Sequence, residues 1–320
     1  MLSATALRRA WPASIATATV LALASCGSGG TTDADRTDLT VGITPSLTFA
    51  QVQYAEQNGL FEKHGLNVEV VEKGSSDVPP LLADEYQVST MAGATYIQAV
   101  AEGFGLRALY PGVDGHSGAI GIMAMPDSGI DSIDDLAGRT VAVNQPGAAF
   151  EIFTRILLDD AGVDADDVSF SVIPFSAMVE ALVRGQVDAA VLTAPFNTIA
   201  ENQGAVLAVD PFTGPLDGTP IAGFTITEEF AANNPNTITA FVAAMDEAVA
   251  AVNAMSQEEF AAFLPSFTSI SEEVALQVVK PEFPTRVDTP RLQLLADRMN
   301  EIGAIREATD LAPTVVSVNP

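Results

Sequence analysis

The feature that most constrains the fold of this chain is a repeated alternation of short β-rich runs with helical segments, starting at residue 38. Strand, helix and strand at this spacing predict a parallel sheet with right-handed crossovers and helices on both faces. The strands predicted in this way are residues 39–42, 67–71, 88–91, 106–110, 140–143, 168–173, 187–192 and 221–227. We therefore predict an α/β protein.

The alternation is interrupted once and then ends, which predicts two lobes. A second alternating unit begins at about Ile120, and after residue 227 helical patterns dominate. The helical tail is expected to pack back on the first sheet, so that the chain crosses between lobes twice and forms a hinge. The predicted division is residues 38–119 with 224–320 as lobe 1, and residues 120–223 as lobe 2.

The N-terminal segment has the pattern of a bacterial lipoprotein signal. Arg8 and Arg9 precede an uncharged run over residues 15–24, which is about half of the ~20 residues that a membrane span needs. Cys26 follows directly and is the only cysteine, so it is a candidate for lipidation and has no disulfide partner. We expect residues 1–25 to be a signal peptide, residues 26–37 a flexible tether, and the protein to be lipid-anchored on the extracytoplasmic face of the cell membrane.

Composition and charge exclude several classes of function. Apolar residues make up 48% of the chain and charged residues 17%, which is typical of a globular protein. Without the two signal arginines, 14 − 2 = 12 basic residues stand against 41 acidic ones, giving a formal charge of 12 − 41 = −29. Such a surface repels nucleic acid. His64 and His116 are expected at the surface, and no spacing indicates a metal site or a cofactor.

The candidate ligand site lies in the loops that follow the strands, because ligands of open α/β sheets bind beyond the carboxyl ends of the strands. These loops combine small residues with hydroxyls, amides and an aromatic side chain near the next helix. The candidate ligand-binding residues are Ser46, Thr48, Phe49, Ser75, Ser76, Asp77, Thr95, Tyr96, Asn144, Gln145, Phe150, Thr193 and Phe196. The aromatic members could stack on a ring or pack in the core, and Asp77 could cap a helix instead of binding a cation.

The charge of the ligand stays open at this point. The loops at 74–77 and 144–148 precede predicted helix starts, where free N–H groups and the helix dipole attract an anion. Lys73 is the only basic residue in these loops, which argues against a doubly charged ligand. A neutral heterocycle and a monoanion such as a sulfonate both remain compatible.

Four segments resemble one known family. Residues 59–70 read GLFEKHGLNVEV, and residues 134–143, 181–190 and 299–305 read DDLAGRTVAV, ALVRGQVDAA and MNEIGAI. In order and spacing they resemble the substrate-binding proteins for nitrate, sulfonates, taurine and thiamine-pyrimidine precursors, over about residues 38–310. The resemblance implies a two-lobed periplasmic binding protein type II fold, with a mostly parallel sheet in each lobe and a cleft between the lobes. It also implies a monomer that delivers a small solute to an ABC permease and its ATPase.

Two other functions are compatible with the resemblance. Menaquinone-pathway lyases and pyrimidine-precursor synthases share the fold, but no histidine is predicted near Ser46 or Ser75 and the loops carry no cofactor motif. The other alternative is a sensor subunit that binds a solute for a different membrane protein. We expect a binding protein and not an enzyme, because the export signal agrees with import.

Overall fold

Ten strands form two five-stranded sheets in the part of the chain that the computed structural model describes, residues 35–73 and 78–317. The strands are β1 (Asp38–Ile43), β2 (Asn67–Glu72), β3 (Val88–Ala92), β4 (Leu106–Asp114), β5 (Ile120–Ala124), β6 (Thr140–Val143), β7 (Ser169–Val172), β8 (Ala189–Thr193), β9 (Val206–Val209) and β10 (Pro220–Thr227). The first sheet has the order β2-β1-β3-β10-β4 and the second β7-β6-β8-β5-β9. We call the first sheet with its helices lobe 1 and the second lobe 2.

The two sheets are built on the same plan. In lobe 1, β1 runs parallel to β2 and β3, while β10 runs antiparallel between β3 and β4. In lobe 2, β6 runs parallel to β7 and β8, while β5 runs antiparallel between β8 and β9. The predicted α/β class with two lobes is confirmed. Each sheet is mixed, because one of its strands, β10 or β5, runs antiparallel to both of its neighbours.

Helices cover the faces of both sheets. They are α1 (Ala50–Gln57), α2 (Leu60–Lys63), α3 (Val78–Leu82), α4 (Gly93–Ala101), α5 (Ala149–Ala161), α6 (Phe175–Val183), α7 (Phe196–Asn202), α8 (Glu228–Asn233), α9 (Pro235–Ala254), α10 (Gln257–Phe263), α11 (Glu272–Ala275) and α12 (Thr289–Glu301). Ser256 and Glu259 form a capping box at the start of α10. A second capping box, Ser132 with Asp135, begins a 3₁₀ turn before β6.

The core of lobe 1 forms around α9. Pro235 lies in its first turn, where a missing N–H costs nothing, and apolar residues then recur at helical spacing. Phe241 stacks on Phe61 of α2 with ring centroids 5.3 Å apart, and lies edge-on to Phe224 of β10 at 6.3 Å. Among the described residues, α9 is the one helix long and apolar enough to span a bilayer, and half of it is buried inside the protein.

The helix α12 connects the C-terminal tail to both lobes. Leu292 and Leu295 are buried in a cluster that includes Ile97 of α4 in lobe 1 and Phe153 of α5 in lobe 2. Arg298 of the same helix donates to Asp160 of α5 at 2.5 Å, and its side chain is largely buried. The tail therefore packs against both lobes.

Two crossing segments join the lobes. Residues 115–119 lead from β4 to β5, and residues 210–219 lead from β9 to β10. The N–H of Gly115 donates to the carbonyl of Thr219 at 2.7 Å, and a Cβ at Gly115 would come within 2.3 Å of the Phe212 ring. The glycine therefore allows the crossings to touch.

Some sequence predictions need a different boundary or cannot be examined. Residues 220–223 belong to β10 in the first sheet, so the predicted lobe boundary at residue 224 falls inside a strand. The strands β5 and β9 had no counterpart among the predicted strands. Several predictions lie outside the described residues: the signal peptide, Cys26, the tether up to residue 34, and the site residues Ser75, Ser76 and Asp77.

Candidate functional site

A cavity of about 170 Å³ lies where the first crossing meets both lobes. Lobe 1 contributes the turn after β1, the end of β4, the start of β10 and the segment 277–281. Lobe 2 contributes β5, the turn between β8 and α7, and α7 itself. The volume is below the roughly 300–1,000 Å³ of pockets for drug-sized ligands, so the cavity suits a small solute.

The lobe 1 wall is shaped by the turn after β1. Ser46 caps the short 3₁₀ helix Leu47–Phe49, because its Oγ accepts from the Thr48 N–H at 3.3 Å. The Ser46 hydroxyl also donates to Thr48 Oγ1 at 3.1 Å. This pair of contacts fixes Thr48, which lines the cavity with Leu47.

The lobe 2 wall is the turn between β8 and α7. The Thr193 hydroxyl donates to the carbonyl of Ala119 at 3.0 Å, and Asn197 Nδ2 donates to the carbonyl of Gly118 at 3.2 Å. Asn197 Oδ1 accepts from the Thr198 N–H at 2.8 Å. These bonds hold the wall of lobe 2 against the first crossing.

The floor of the cavity is the first crossing. His116 is half-buried and lines the cavity, with Nδ1 3.0 Å from the carbonyl oxygen of Asp114. The Ser117 hydroxyl and the Gly118 N–H donate to Asp210 Oδ2 at 2.6 and 3.0 Å. His116 was expected at the surface, and it is instead half-buried in the cavity lining, next to the exposed residues Ser117 and Gly118.

A hydrogen bond between lobes lies at the mouth. Asn202 Nδ2 at the end of α7 donates to Gln277 Oε1 at 2.8 Å. Gln277, Val279 and Pro281 line the cavity, and Val279 is 76% exposed. The segment 277–281 of lobe 1 therefore reaches over to lobe 2 and borders the entrance.

Of the predicted site residues that the structure describes, Thr48 and Thr193 line the cavity. Ser46 supports Thr48, and Thr95 is half-buried on α4 away from the lining. Asn144 is half-buried and Gln145 exposed in the turn after β6, which Gln98 of lobe 1 contacts through the Gly147 carbonyl at 3.0 Å. The structure does not bring Thr95, Asn144 and Gln145 to the cavity wall.

Phe49 and Tyr96 lie in the core of the protein. Phe49 is 5% exposed and packs edge-on to Phe224 with ring centroids 5.4 Å apart. Tyr96 is 3% exposed, donates to the Thr314 carbonyl at 2.9 Å and accepts from the Ala108 N–H at 3.1 Å. Burial raises the pKa of the Tyr96 phenol. Both side chains pack within the protein and do not line the cavity.

Phe150 and Phe196 belong to an aromatic cluster of lobe 2 that the sequence analysis did not identify. Phe175 of α6 stacks on Phe196 with ring centroids 5.4 Å apart and lies against Phe150 at 5.4 Å. All three rings are half-buried, and none lines the cavity. Their contacts to one another account for the apolar character of these positions.

The N-terminus of α5 holds a carboxylate of the chain itself. Glu151 is 7% exposed, and its Oε2 accepts from the Gly147 N–H at 2.9 Å. Its other oxygen accepts from Arg155 Nε at 2.7 Å. This is the loop at 144–148 that was expected to attract an anion, and Glu151 already provides the negative charge there.

His116, Asn197, Glu201 and Gln277 also line the cavity, and the sequence analysis did not identify them as site residues. Asn197 directly follows a predicted candidate, so extending that loop by one residue would have found it. Gln277 had no local signal, since it reaches the site from the helical tail. Among the described residues, no group of three or more His, Cys, Asp or Glu side chains is placed to hold a metal ion.

Known structures define the class of fold. The periplasmic aliphatic sulphonate binding protein SsuA from Escherichia coli superposes with a TM-score of 0.73 at 21% identity, covering 87% of this chain and 97% of that one. The periplasmic nitrate-binding protein NrtA from Synechocystis PCC 6803 gives 0.70 at 19% identity, covering 87% and 85%. The desulfurization enzyme DSZB gives 0.63 at 16% identity, covering 88% and 96%. The fold is that of the periplasmic binding proteins.

Sequence relatives identify the family. Residues 46–259 match the family described as NMT1/THI5 like, and the chain belongs to this family. A protein of Brachyspira hyodysenteriae named as an ABC transporter periplasmic binding protein is 26% identical over 282 residues, covering 82% of this chain and 80% of the relative. The predicted resemblance to solute-binding proteins of ABC transporters is thereby confirmed.

Proposed function

We propose that this chain is the extracytoplasmic solute-binding protein of an ABC importer. The observation that carries the proposal is the cavity, whose walls come from both lobes and whose floor is a segment that joins them. A change in the angle between the lobes would open or close such a cavity, as in hinged binding proteins. The match to an ABC transporter periplasmic binding protein over most of both chains supports the same role.

A binding role without catalysis is part of this proposal, although an enzyme shares the fold. The cavity contains a neighbouring serine and histidine, which invites comparison with a nucleophile and its base. The Ser117 hydroxyl donates to Asp210 and not to His116, whose Nδ1 faces a backbone carbonyl. The serine is therefore not activated by the imidazole in the way that nucleophilic catalysis requires.

The proposal includes a lipid anchor at Cys26 and delivery by a monomer to a permease with its ATPase. The charged start, the short apolar run and the single cysteine support the anchor. An acyl chain would hold the protein beside the permease. In fractionated cells we expect the wild-type protein in membranes and the Cys26→Ser variant in the soluble fraction, and membrane retention of the variant would contradict the anchor.

Filling the cavity tests the binding role. Thr48→Trp places an indole in the cavity, while Thr44→Trp, at an exposed position four residues earlier, is the matched control. We expect small solutes that raise the melting temperature of the wild type and of Thr44→Trp to have no effect on Thr48→Trp, with all three unfolding cooperatively. If the solutes raise the melting temperatures of Thr48→Trp and Thr44→Trp equally, the proposed site is contradicted.

The importer role has its own measurement. The purified protein loaded with such a solute should stimulate the ATPase of its permease complex in proteoliposomes, and Thr48→Trp should not. If the protein binds the solute but does not stimulate the transporter, the importer role is contradicted and a receptor or sensor role is favoured.

A further inference from the structure

Two hydroxyls around the cavity already donate their hydrogens inside the protein, and Asn197 uses one of its two amide hydrogens in the same way. The Thr193 hydroxyl donates to the Ala119 carbonyl at 3.0 Å, and the Ser117 hydroxyl donates to Asp210 at 2.6 Å. Asn197 Nδ2 donates to the Gly118 carbonyl at 3.2 Å. The two hydroxyl oxygens retain lone pairs, so toward a ligand they act as acceptors.

The tautomer of His116 follows from its partner. A backbone carbonyl can only accept, so Nδ1, 3.0 Å from the Asp114 oxygen, carries the hydrogen. The neutral ring then has an unprotonated Nε2, which is a third acceptor at a residue that lines the cavity. The Thr48 hydroxyl differs from this pattern, because its oxygen accepts from Ser46 and its own hydrogen can reach a ligand.

The charge of the cavity lining also favours a ligand that carries donors and a positive charge. Glu201 at the end of α7 is the one carboxylate among the lining residues, and no Lys or Arg lines the cavity in the described part of the chain. The N-terminus of α5, which could have bound an anion, holds Glu151 instead. An oxyanion here would find few donors beside the Thr48 hydroxyl and would face a like charge, which is unfavourable.

An ammonium group has the complementary properties. It carries only donors, and charge-assisted hydrogen bonds to acceptors are stronger than neutral ones. The remaining wall, with Leu47, Val113 and Ile221, is apolar and suits a short hydrocarbon group. The cavity thus combines acceptors and one negative charge with an apolar side.

We propose that the cavity takes a small organic ammonium ion whose N–H groups donate to Thr193, Ser117 and His116, with Glu201 as its counter-charge. This inference rests on the proposed function as a solute-binding protein. It distinguishes the chain from the sulphonate- and nitrate-binding proteins that share its fold.

Head-group series test the inference. Three hydrocarbon groups, ethyl, n-butyl and benzyl, are each combined with four head groups: ammonium, trimethylammonium, hydroxyl and sulfonate. The binding of each compound to the purified full-length chain is measured by calorimetry. On whichever scaffold fits, we expect the ammonium to bind at least about tenfold more tightly than the alcohol, and the sulfonate not to bind. The trimethylammonium keeps the charge without N–H donors and should bind more weakly than the ammonium.

Glu201→Gln tests the counter-charge. An exposed carboxylate facing a cation contributes modestly, so we expect about a fivefold loss of affinity for the ammonium and no change for the alcohol. Glu85→Gln, an equal charge change at an exposed turn outside the cavity, is the control and should change neither. Equal effects of both variants would overturn the role of Glu201.

The outcomes separate the two proposals. A sulfonate that binds as tightly as the matched ammonium overturns the ligand class and leaves the solute-binding function standing. Equal binding of ammonium and trimethylammonium overturns the role of the acceptors. If no scaffold with any head group binds, and the cavity-filling variant behaves like wild type toward a broader set of solutes, the proposed function is overturned and this inference with it.

Discussion

The two crossings between the lobes each begin at or next to an aspartate, Asp210 or Asp114. The two carboxylates differ in the hydrogen bonds that they accept. Asp210 accepts from the Ser117 hydroxyl at 2.6 Å, from the Gly118 N–H at 3.0 Å and from the Phe212 N–H at 2.9 Å. Asp114 has a buried Oδ1 with no hydrogen-bond partner among the described residues. Burial, with the nearby Asp288 carboxylate, raises the pKa of Asp114 to about 6.

The difference shows which crossing holds the hinge together. Asp210 ties the second crossing to the first through donors on both, so its charge stabilises the junction. Asp114 is half-buried, and in the part of the chain that the structure describes neither its Oδ1 nor the buried hydroxyl of Thr219 has a hydrogen-bond partner. A buried charge without partners lowers the free energy of unfolding.

The largest expected effect comes from removing the satisfied carboxylate. Asp210→Ala leaves three donors without their acceptor, and we expect it to lower the free energy of unfolding by about 2–3 kcal/mol. Denaturant unfolding followed by circular dichroism measures this. Asp217→Ala, at an exposed position in the same crossing, should change stability by less than about 0.5 kcal/mol. Similar losses in both variants would show that Asp210 does not fasten the crossings.

Most of the fold could be predicted from local patterns. Strand β6 was predicted with its observed bounds, and β1, β2 and β3 within one or two residues, because each combines β-branched residues with a flanking glycine or polar turn. Strand β9 was missed although Gly204 precedes it and Asp210-Pro211 follows it, because the four residues Val206–Val209 are all apolar and show no alternation. Position in the sheet does not decide the outcome, since the edge strands β2 and β7 were predicted from their sequence patterns.

The site was less predictable because it depends on contacts between distant residues. Thr193 was found from its place at the end of a strand. Tyr96 follows β3 in a similar way, but it lies in α4 and is buried by the tail, where Thr314 accepts its hydrogen bond. Gln277 reaches the cavity from a segment with no strand near it. A sequence pattern locates the loops at the strand ends, but it does not specify which side chains the C-terminal tail covers.

The second prediction concerns the uncompensated carboxylate. Asp114→Asn removes the buried charge while keeping the shape of the side chain, and we expect it to raise the free energy of unfolding at pH 7.5 by about 1–2 kcal/mol. This stabilisation is opposite in sign to the effect of Asp210→Ala. Thermal and denaturant unfolding both measure it, and a loss of stability would show that the carboxylate has a favourable partner.

The pH dependence gives a third prediction with a defined sign. The pKa of Asp114 is raised in the folded state to about 6 from its ordinary value of 3.8, so between these values the folded protein binds more protons than the unfolded one. The contribution of this group to stability is therefore greatest below about pH 4 and falls as pH rises through 6. The advantage of Asp114→Asn over wild type should disappear between pH 7.5 and pH 4. A constant advantage across this range would exclude titration of Asp114 as its cause.

The smallest expected effect isolates the repulsion between Asp114 and Asp288. Asp288 caps α12 by accepting from the Arg291 N–H at 2.9 Å, and Asn can make the same bond, so Asp288→Asn removes the charge and keeps the cap. In a double-mutant cycle with Asp114→Asn at pH 7.5, we expect an unfavourable coupling in the wild type of about 0.5–1 kcal/mol. The coupling should vanish at pH 4, where Asp114 is protonated. A coupling of equal size at both pH values would mean that the two residues interact through packing, and the contrast between the crossings would then rest on the burial of Asp114 alone.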